Sequence, residues 1–411
     1  MTQSRQDNAS GTQEAALPRR DWILLPLLSL LTIGVVTVSA DRIARRVLTE
    51  SAPFVQSCME PGASWGASRA IPNSVCWDKK FESQRVEYRF NSCGHRTRMA
   101  CEAKQPGVYR IVLAGSSFAM GHLIPEDMTF ASLLPVSLAQ QTGRRVELYN
   151  EGMVGLNPHV LTLRFDEVLA AKPDLILWTL TAWDIQNVLP PDDSPNPDAK
   201  VGSLARTWFR IKATFNAKPL PDATVFLWKR FWQEGQNSFA DSSIAALMQR
   251  FIFESKSQYI KSSLMAGDAS GYLESMPRAE WRRRLRQFND DAADIAARAE
   301  AAGVPLVVVL VPNRVQAAMI STGEWPAGYD PYALDHELRT IIESHGGAYL
   351  DILPDLRSLP DPEQNYFPVD GHPDVKGHAM IAGLLAKQLT SGAVPALRVT
   401  AQPTATQRHR T

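Results

Sequence analysis

Val108-Tyr109-Arg110-Ile111-Val112-Leu113-Ala114-Gly115-Ser116-Ser117-Phe118-Ala119-Met120-Gly121 is an apolar run of strand length that breaks at one glycine into two serines and resumes at a second glycine. A serine at such a junction stands at the carboxyl end of a strand, where open parallel sheets form their ligand crevices. Far downstream, after the last predicted strand, Val369-Asp370-Gly371-His372-Pro373 offers a carboxylate and an imidazole two residues apart. In an extended segment residues two apart point the same way, so both side chains can face one crevice. Serine, imidazole and carboxylate are the parts of an activated hydroxyl nucleophile: the imidazole takes the proton and the carboxylate fixes its tautomer.

Outward from residue 108 the pattern alternates. Strands are predicted over 108–114, 145–149, 174–180, 305–311 and 348–350, and helices over 130–142, 159–171 and 375–389, the rhythm of βαβ units around a parallel sheet. The rhythm stops after Val188. PPDDSPNPDAK is a loop, and the following stretch to about residue 300, rich in Trp, Phe, Lys and Arg, predicts a mostly helical insertion or lid near the site. Within it, Trp281-Arg282-Arg283-Arg284-Leu285-Arg286 predicts a solvated helix face, with contact to phospholipid or an acidic glycan as the alternative. Residues 1–21 and 391–411 have the composition of flexible tails.

The chain has 411 residues, 45% of them hydrophobic, enough for a large core in one or two domains. Its 43 basic residues balance 43 acidic ones, so no global field favours nucleic acid. Residues 22–40, WILLPLLSLLTIGVVTVSA, carry no charge. As a helix they span about 28 Å at ~1.5 Å per residue, close to the hydrocarbon thickness of a bilayer. The length predicts a retained transmembrane anchor; Val38-Ser39-Ala40, like a signal-peptide cleavage site, keeps removal open. Arginines flank both sides, so charge alone does not orient the segment. The four cysteines, Cys58, Cys76, Cys93 and Cys101, all fall within residues 41–106, read as a stalk or cap. Their clustering predicts one or two disulfides outside the cytoplasm, with a metal site and free buried thiols as the other options. That would make residues 1–21 the cytoplasmic tail and place residues 107–390 on the periplasmic side.

Two familiar serine and phosphate motifs fail. The glycines at 115 and 121 are one residue too far apart for a phosphate loop, and His122 stands where it needs lysine. Ala119 stands where the α/β-hydrolase elbow needs its second glycine.

The blocks that remain resemble the SGNH/GDSL hydrolase family. Gly115-Ser116-Ser117 stands at its Gly-Asp-Ser, with Ser116 in place of the aspartate, and Tyr88 to Arg96 is similar to the approach sequence of bacterial members. Asn150-Glu151-Gly152-Met153-Val154-Gly155-Leu156-Asn157 resembles the family's glycine block. Thr181-Ala182-Trp183-Asp184 departs from its Gly-x-Asn-Asp, with Trp183 at the oxyanion asparagine, and Asp370-Gly371-His372 resembles the closing Asp/His block. The resemblance implies a flavodoxin-like three-layer α/β/α sandwich, with Ser117 as nucleophile, His372 as base and Asp370 as its partner. It further implies the backbone amides of Ser117 and Gly155 as oxyanion donors. Asn157, Asn187 and the Trp183 indole are the candidate substitutes for the missing asparagine. His378, in the closing helix, is expected to be structural.

The activity implied is hydrolysis of an ester through an acyl-enzyme, with an O-acetyl group on an extracytoplasmic glycan as the expected substrate. No metal or organic cofactor is required. The expected partners are the acylated small molecule or glycan and, through the N-terminal helix, the membrane. Two alternatives stay open: a glycan O-acyltransferase, and a non-catalytic glycan-binding or envelope-assembly protein.

Overall fold

The structure, a computed structural model, describes residues 20–48, 55–60, 69–80, 82–188 and 243–399. The expected tail 1–21 thus lies outside the described residues except for its last two, as do 400–411 and the part of the insertion from 189 to 242.

Two short strands, β1 (Val75–Asp78) and β2 (Val86–Arg89), pair antiparallel. Five more form one parallel sheet: β3 (Val108–Gly115), β4 (Arg145–Asn150), β5 (Leu175–Leu180), β6 (Leu306–Leu310) and β7 (Ala348–Leu350). Their spatial order is β4-β3-β5-β6-β7, the flavodoxin-like 2-1-3-4-5 arrangement with its switch point beside the first strand. Every residue of β3, β5 and β6 is buried, as expected of central parallel strands covered on both faces. Helices Phe130–Thr142 and Val375–Gln388 pack together as one layer, and Pro158–Ala170, Ala279–Ala301 and Ala333–Ser344 as the other. The three-layer α/β/α sandwich is therefore present.

Three expectations change. Helix Ala279–Ala301 belongs to the sheet-covering layer, not to a lid: Trp281, Leu285, Phe288, Ala292, Ile295 and Ala299 recur at helical spacing and are buried. The insertion accordingly ends before residue 279. Arg282, Arg283 and Arg286 are exposed on the other face of this helix. The tail expected from residue 391 begins in a packed segment, because Val394 and Leu397 are buried in the core. Finally, the Asp370 to His372 segment is not extended but turns at Gly371, in the left-handed region at φ +81°.

The N-terminal helix Asp21–Leu48 contains Ile23–Ala40, long and apolar enough to cross a membrane, with none of that span buried against the protein. Two disulfides, Cys58–Cys76 and Cys93–Cys101, brace the segment around β1 and β2. Closing a loop of such length contributes about 3 kcal/mol in the chain-entropy account.

Candidate active site

Ser117 is the first residue of a short helix, Ser117–Met120, that leaves β3 without a connecting loop. Gly115 permits the junction: its φ is +155°, and a Cβ there would lie 2.4 Å from Thr179 Oγ1 and 2.9 Å from Ala119 Cβ. At the far end Gly121 adopts φ +79° and closes the helix, and a Cβ would lie 2.3 Å from Thr129 Cγ2. The buried Arg96 then ties down the following loop, donating to the carbonyls of Met120 (2.6 Å), Gly121 (2.5 Å) and Ile124 (2.6 Å). Its guanidinium stacks 4.1 Å from the centre of the Tyr88 ring, whose hydroxyl accepts the Leu123 N–H at 2.8 Å. These carbonyls and the ring offset part of the cost of burying the cation, while its Nε has no hydrogen-bond partner.

The structure brings Ser117, His372 and Asp370 together. His372 Nε2 lies 2.7 Å from Ser117 Oγ, and His372 Nδ1 lies 2.5 Å from Asp370 Oδ1. An ionised carboxylate only accepts, which assigns the imidazole proton to Nδ1 and leaves Nε2 to accept from the serine hydroxyl. Burial pushes the Asp370 carboxyl up, but the hydrogen bond and charge of His372, with Lys80 beside it, outweigh burial and hold it below the ordinary carboxylate range. The left-handed turn at Gly371 is what lets a single residue separate acid from base. All three side chains remain partly accessible.

Residues far away in the chain hold the acid–base loop. Glu82 accepts the backbone N–H of Val369 (3.0 Å) and of Asp370 (2.8 Å), and Lys80 Nζ lies 3.3 Å from Asp370 Oδ2. Arg314 donates to the Pro368 carbonyl at 2.6 Å. Sequence reasoning missed all three, since nothing local marks a charged residue that acts across more than fifty positions.

Around the imidazole stand Phe118, His122 and Trp183, with ring centres 5.0, 4.8 and 5.2 Å from that of His372. His122 is buried, and burial, reinforced by the charges of His372 and Lys80, lowers its pKa to about 3. It is therefore neutral, and its Nδ1 has no hydrogen-bond partner. Among the described residues, His122, Asp370 and His372 are the one group whose metal-ligating atoms come within 4.8 Å of one another. Both nitrogens of His372 are already engaged by Ser117 and Asp370, so a cation there would replace those contacts. His378 has the structural role expected of it: buried in the closing helix, it accepts the Phe130 N–H at 3.1 Å.

The oxyanion candidates divide. The Ser117 N–H is among the first amides of a helix, which have no acceptor within it. Gly155 is half-buried with φ +77°. In the same loop Gly152 presses on helix Ser117–Met120, where a Cβ would lie 2.5 Å from Met120 N. Asn157 is occupied elsewhere: it caps helix Pro158–Ala170 by accepting the Val160 N–H, and its amide donates to the Asn187 carbonyl at 3.0 Å. Asn187 itself is exposed. Trp183 lies against His372 and Gly371, which gives its ring a packing role at the site.

Ser116, standing where the resembled family has aspartate, is buried and hydrogen-bonds the Asp184 side chain. Asp184 also forms a capping box with Thr181 at the start of helix Ala182–Gln186. Burial raises its pKa to about 7 against the bonds from Ser116 and Thr181. A carboxyl group is thus present behind Ser117, delivered from the end of β5 instead of β3.

No family model matches the chain, and no curated protein does. Several solved structures are similar to it. LAE5, described as an alpha/beta hydrolase enzyme from the metagenome of Lake Arreo, is 14% identical and aligns over 71% of this chain and 96% of its own, with a TM-score of 0.38. A lipase/acylhydrolase from Enterococcus faecalis is 12% identical over 68% of this chain and 95% of its own, at 0.37. A variant of Axe2, an acetyl-xylooligosaccharide esterase from Geobacillus, is 11% identical over 68% and 94%, at 0.36. Likeness this distant does not bear on chemistry, which rests on the geometry around Ser117.

Proposed function

We propose that the chain is a serine esterase of the SGNH type, and the observation that carries this is the continuous contact from Ser117 Oγ through His372 to Asp370. Ser117 Oγ attacks the ester carbonyl carbon while His372 Nε2 takes its proton, and Asp370 stabilises the resulting imidazolium. The oxyanion is met by the Ser117 and Gly155 amides. Collapse breaks the bond to the alkoxy oxygen, which leaves with the proton from His372, and the acyl group stays on Ser117. Water then attacks the acyl-enzyme, passing a proton to His372, and the carboxylic acid departs as Ser117 recovers its hydroxyl proton. No step calls for a metal or organic cofactor.

The anchor-length helix and the paired disulfides support an extracytoplasmic, membrane-anchored site. Within that compartment the narrower proposal is an O-acetyl group on a glycan. A fluorophosphonate probe tests the nucleophile. Wild type is expected to label and Ser117→Ala not to, with hydrolysis of para-nitrophenyl acetate falling by about a thousandfold or more. Labelling that persists in Ser117→Ala would overturn the assignment.

A further inference from the structure

Helix Ser243–Phe253 carries an apolar side that the described residues leave uncovered. Leu247, Phe251 and Ile252 are exposed, Phe251 to 78%. Exposed aromatic and aliphatic residues grouped on one helix mark a contact surface. Two neighbours say what kind. This helix packs against the N-terminal helix Asp21–Leu48, whose apolar span is itself bare, so the two exposed apolar surfaces adjoin. On its other side the helix is fastened to the acid–base loop. Arg314 donates both to the Phe253 carbonyl (2.7 Å), at the end of the helix, and to the Pro368 carbonyl (2.6 Å), two residues before Asp370. The charge of Arg250, on the same helix, reaches Glu82, which holds the Val369 and Asp370 amides.

We propose that helix Ser243–Phe253 rests in the surface of the lipid bilayer beside the anchor and holds the Asp370–His372 loop close to it, so that Ser117 acts on esters carried by membrane amphiphiles, an acetylated glycan borne on a lipid among them. An amphipathic helix buries its apolar side about 5–10 Å into the headgroup and acyl boundary. Phe251, one turn after Leu247 and next to Ile252, supplies such a side. The bilayer contact stands independently of catalysis; the substrate class rests on the serine esterase proposal above.

The test uses the full chain in nanodiscs of phosphatidylcholine and phosphatidylglycerol. All four cysteines are paired, so Phe251→Cys provides a single thiol for an environment-sensitive fluorophore. Expected are a blue-shifted emission and quenching by doxyl-labelled lipid. The same label at Arg145→Cys, at the amino end of β4 and so at the end of the parallel sheet opposite Ser117, is expected to stay unquenched. Absence of quenching at residue 251, or equal quenching at 145, would overturn the bilayer contact. Turnover then tests the substrate class. Leu247→Asp with Phe251→Asp is expected to slow hydrolysis of bilayer-partitioned para-nitrophenyl dodecanoate by about tenfold while leaving soluble para-nitrophenyl acetate within about twofold. Equal loss on both esters would overturn the substrate class. No turnover of either ester by the wild type, with quenching at 251 intact, would fail the esterase proposal and leave the bilayer contact standing.

Discussion

Ser117 and His372 meet at 2.7 Å, yet the two sides of that contact are held by different means. The serine is fixed from within its own neighbourhood, by the end of a buried strand, a glycine on each side and a helix that starts at Ser117 itself. The acid–base loop has a lighter scaffold of its own, the Phe367 N–H on the His372 carbonyl and the Gly371 N–H on the Phe367 carbonyl, both at 2.9 Å, and leans on partners from elsewhere. It is held by Glu82, Lys80 and Arg314, side chains that reach it from other parts of the chain. A position set by backbone sterics resists small changes and fails altogether under large ones. One set by remote hydrogen bonds can be loosened in steps while the fold survives.

The largest effect is expected on the serine side. Gly115→Ala would put a methyl group 2.4 Å from Thr179 Oγ1 and 2.7 Å from its carbonyl oxygen, at a backbone φ that L-residues rarely adopt. Overpacking and backbone strain together should cost about 3 kcal/mol or more. Loss of soluble expression, or a large drop in unfolding midpoint, is the expected result. A variant with wild-type stability would mean that β3 and β5 can separate there, and the distinction between the two sides would fall.

On the loop side the effect should be graded and kinetic. Glu82→Gln keeps one acceptor oxygen and replaces the other with an amino group that cannot receive the Val369 or Asp370 N–H. We expect kcat for para-nitrophenyl acetate to fall by about tenfold with KM little changed, and Glu82→Ala to lose about a hundredfold, the scale of small misplacements of catalytic groups. The unfolding midpoint should move little in either. If both variants lose stability and activity in parallel, Glu82 supports the fold as a whole and not the loop.

The same contrast explains what could be read from the sequence. The strand ending in small residues and the parallel sheet of successive βαβ units are local patterns, and both appear in the structure where they were expected, while the flavodoxin-like arrangement was implied by the family resemblance. The pairing of Ser117 with His372 spans 255 positions, but both residue types announce themselves. Glu82 and Lys80 do not, because a surface-looking charged residue acquires its role only when β1 and β2 fold back over the loop. Asp370 and His372 were expected to face one way along an extended segment; they meet instead across the Gly371 turn, a conformation the Gly itself hints at but does not dictate. Asn157 was a candidate oxyanion donor by its residue type. Its position directly before Pro158 was the better signal, since an asparagine preceding a proline-initiated helix commonly serves as the cap.

Asp184 lies between the two kinds of support, a remote carboxyl placed behind the serine, and it sharpens the contrast through pH. Its folded pKa of about 7 stands well above the 3.8 of an unperturbed aspartate. Between those values the folded protein keeps the proton while the unfolded chain has released it, so this group favours folding fully below the lower value and loses that contribution as pH rises through the upper one. Asp184→Asn, which is neutral throughout and keeps one oxygen to accept the Thr181 N–H, lacks this dependence. The wild-type midpoint relative to the variant should therefore decline by about 5 °C between pH 4 and pH 7, as measured by thermal unfolding of both proteins in matched buffers. A constant difference across that range would show that Asp184 is ionised throughout. The carboxyl behind Ser117 would then be a fixed negative charge in the serine's surroundings, and the nucleophile would no longer be held by local backbone alone.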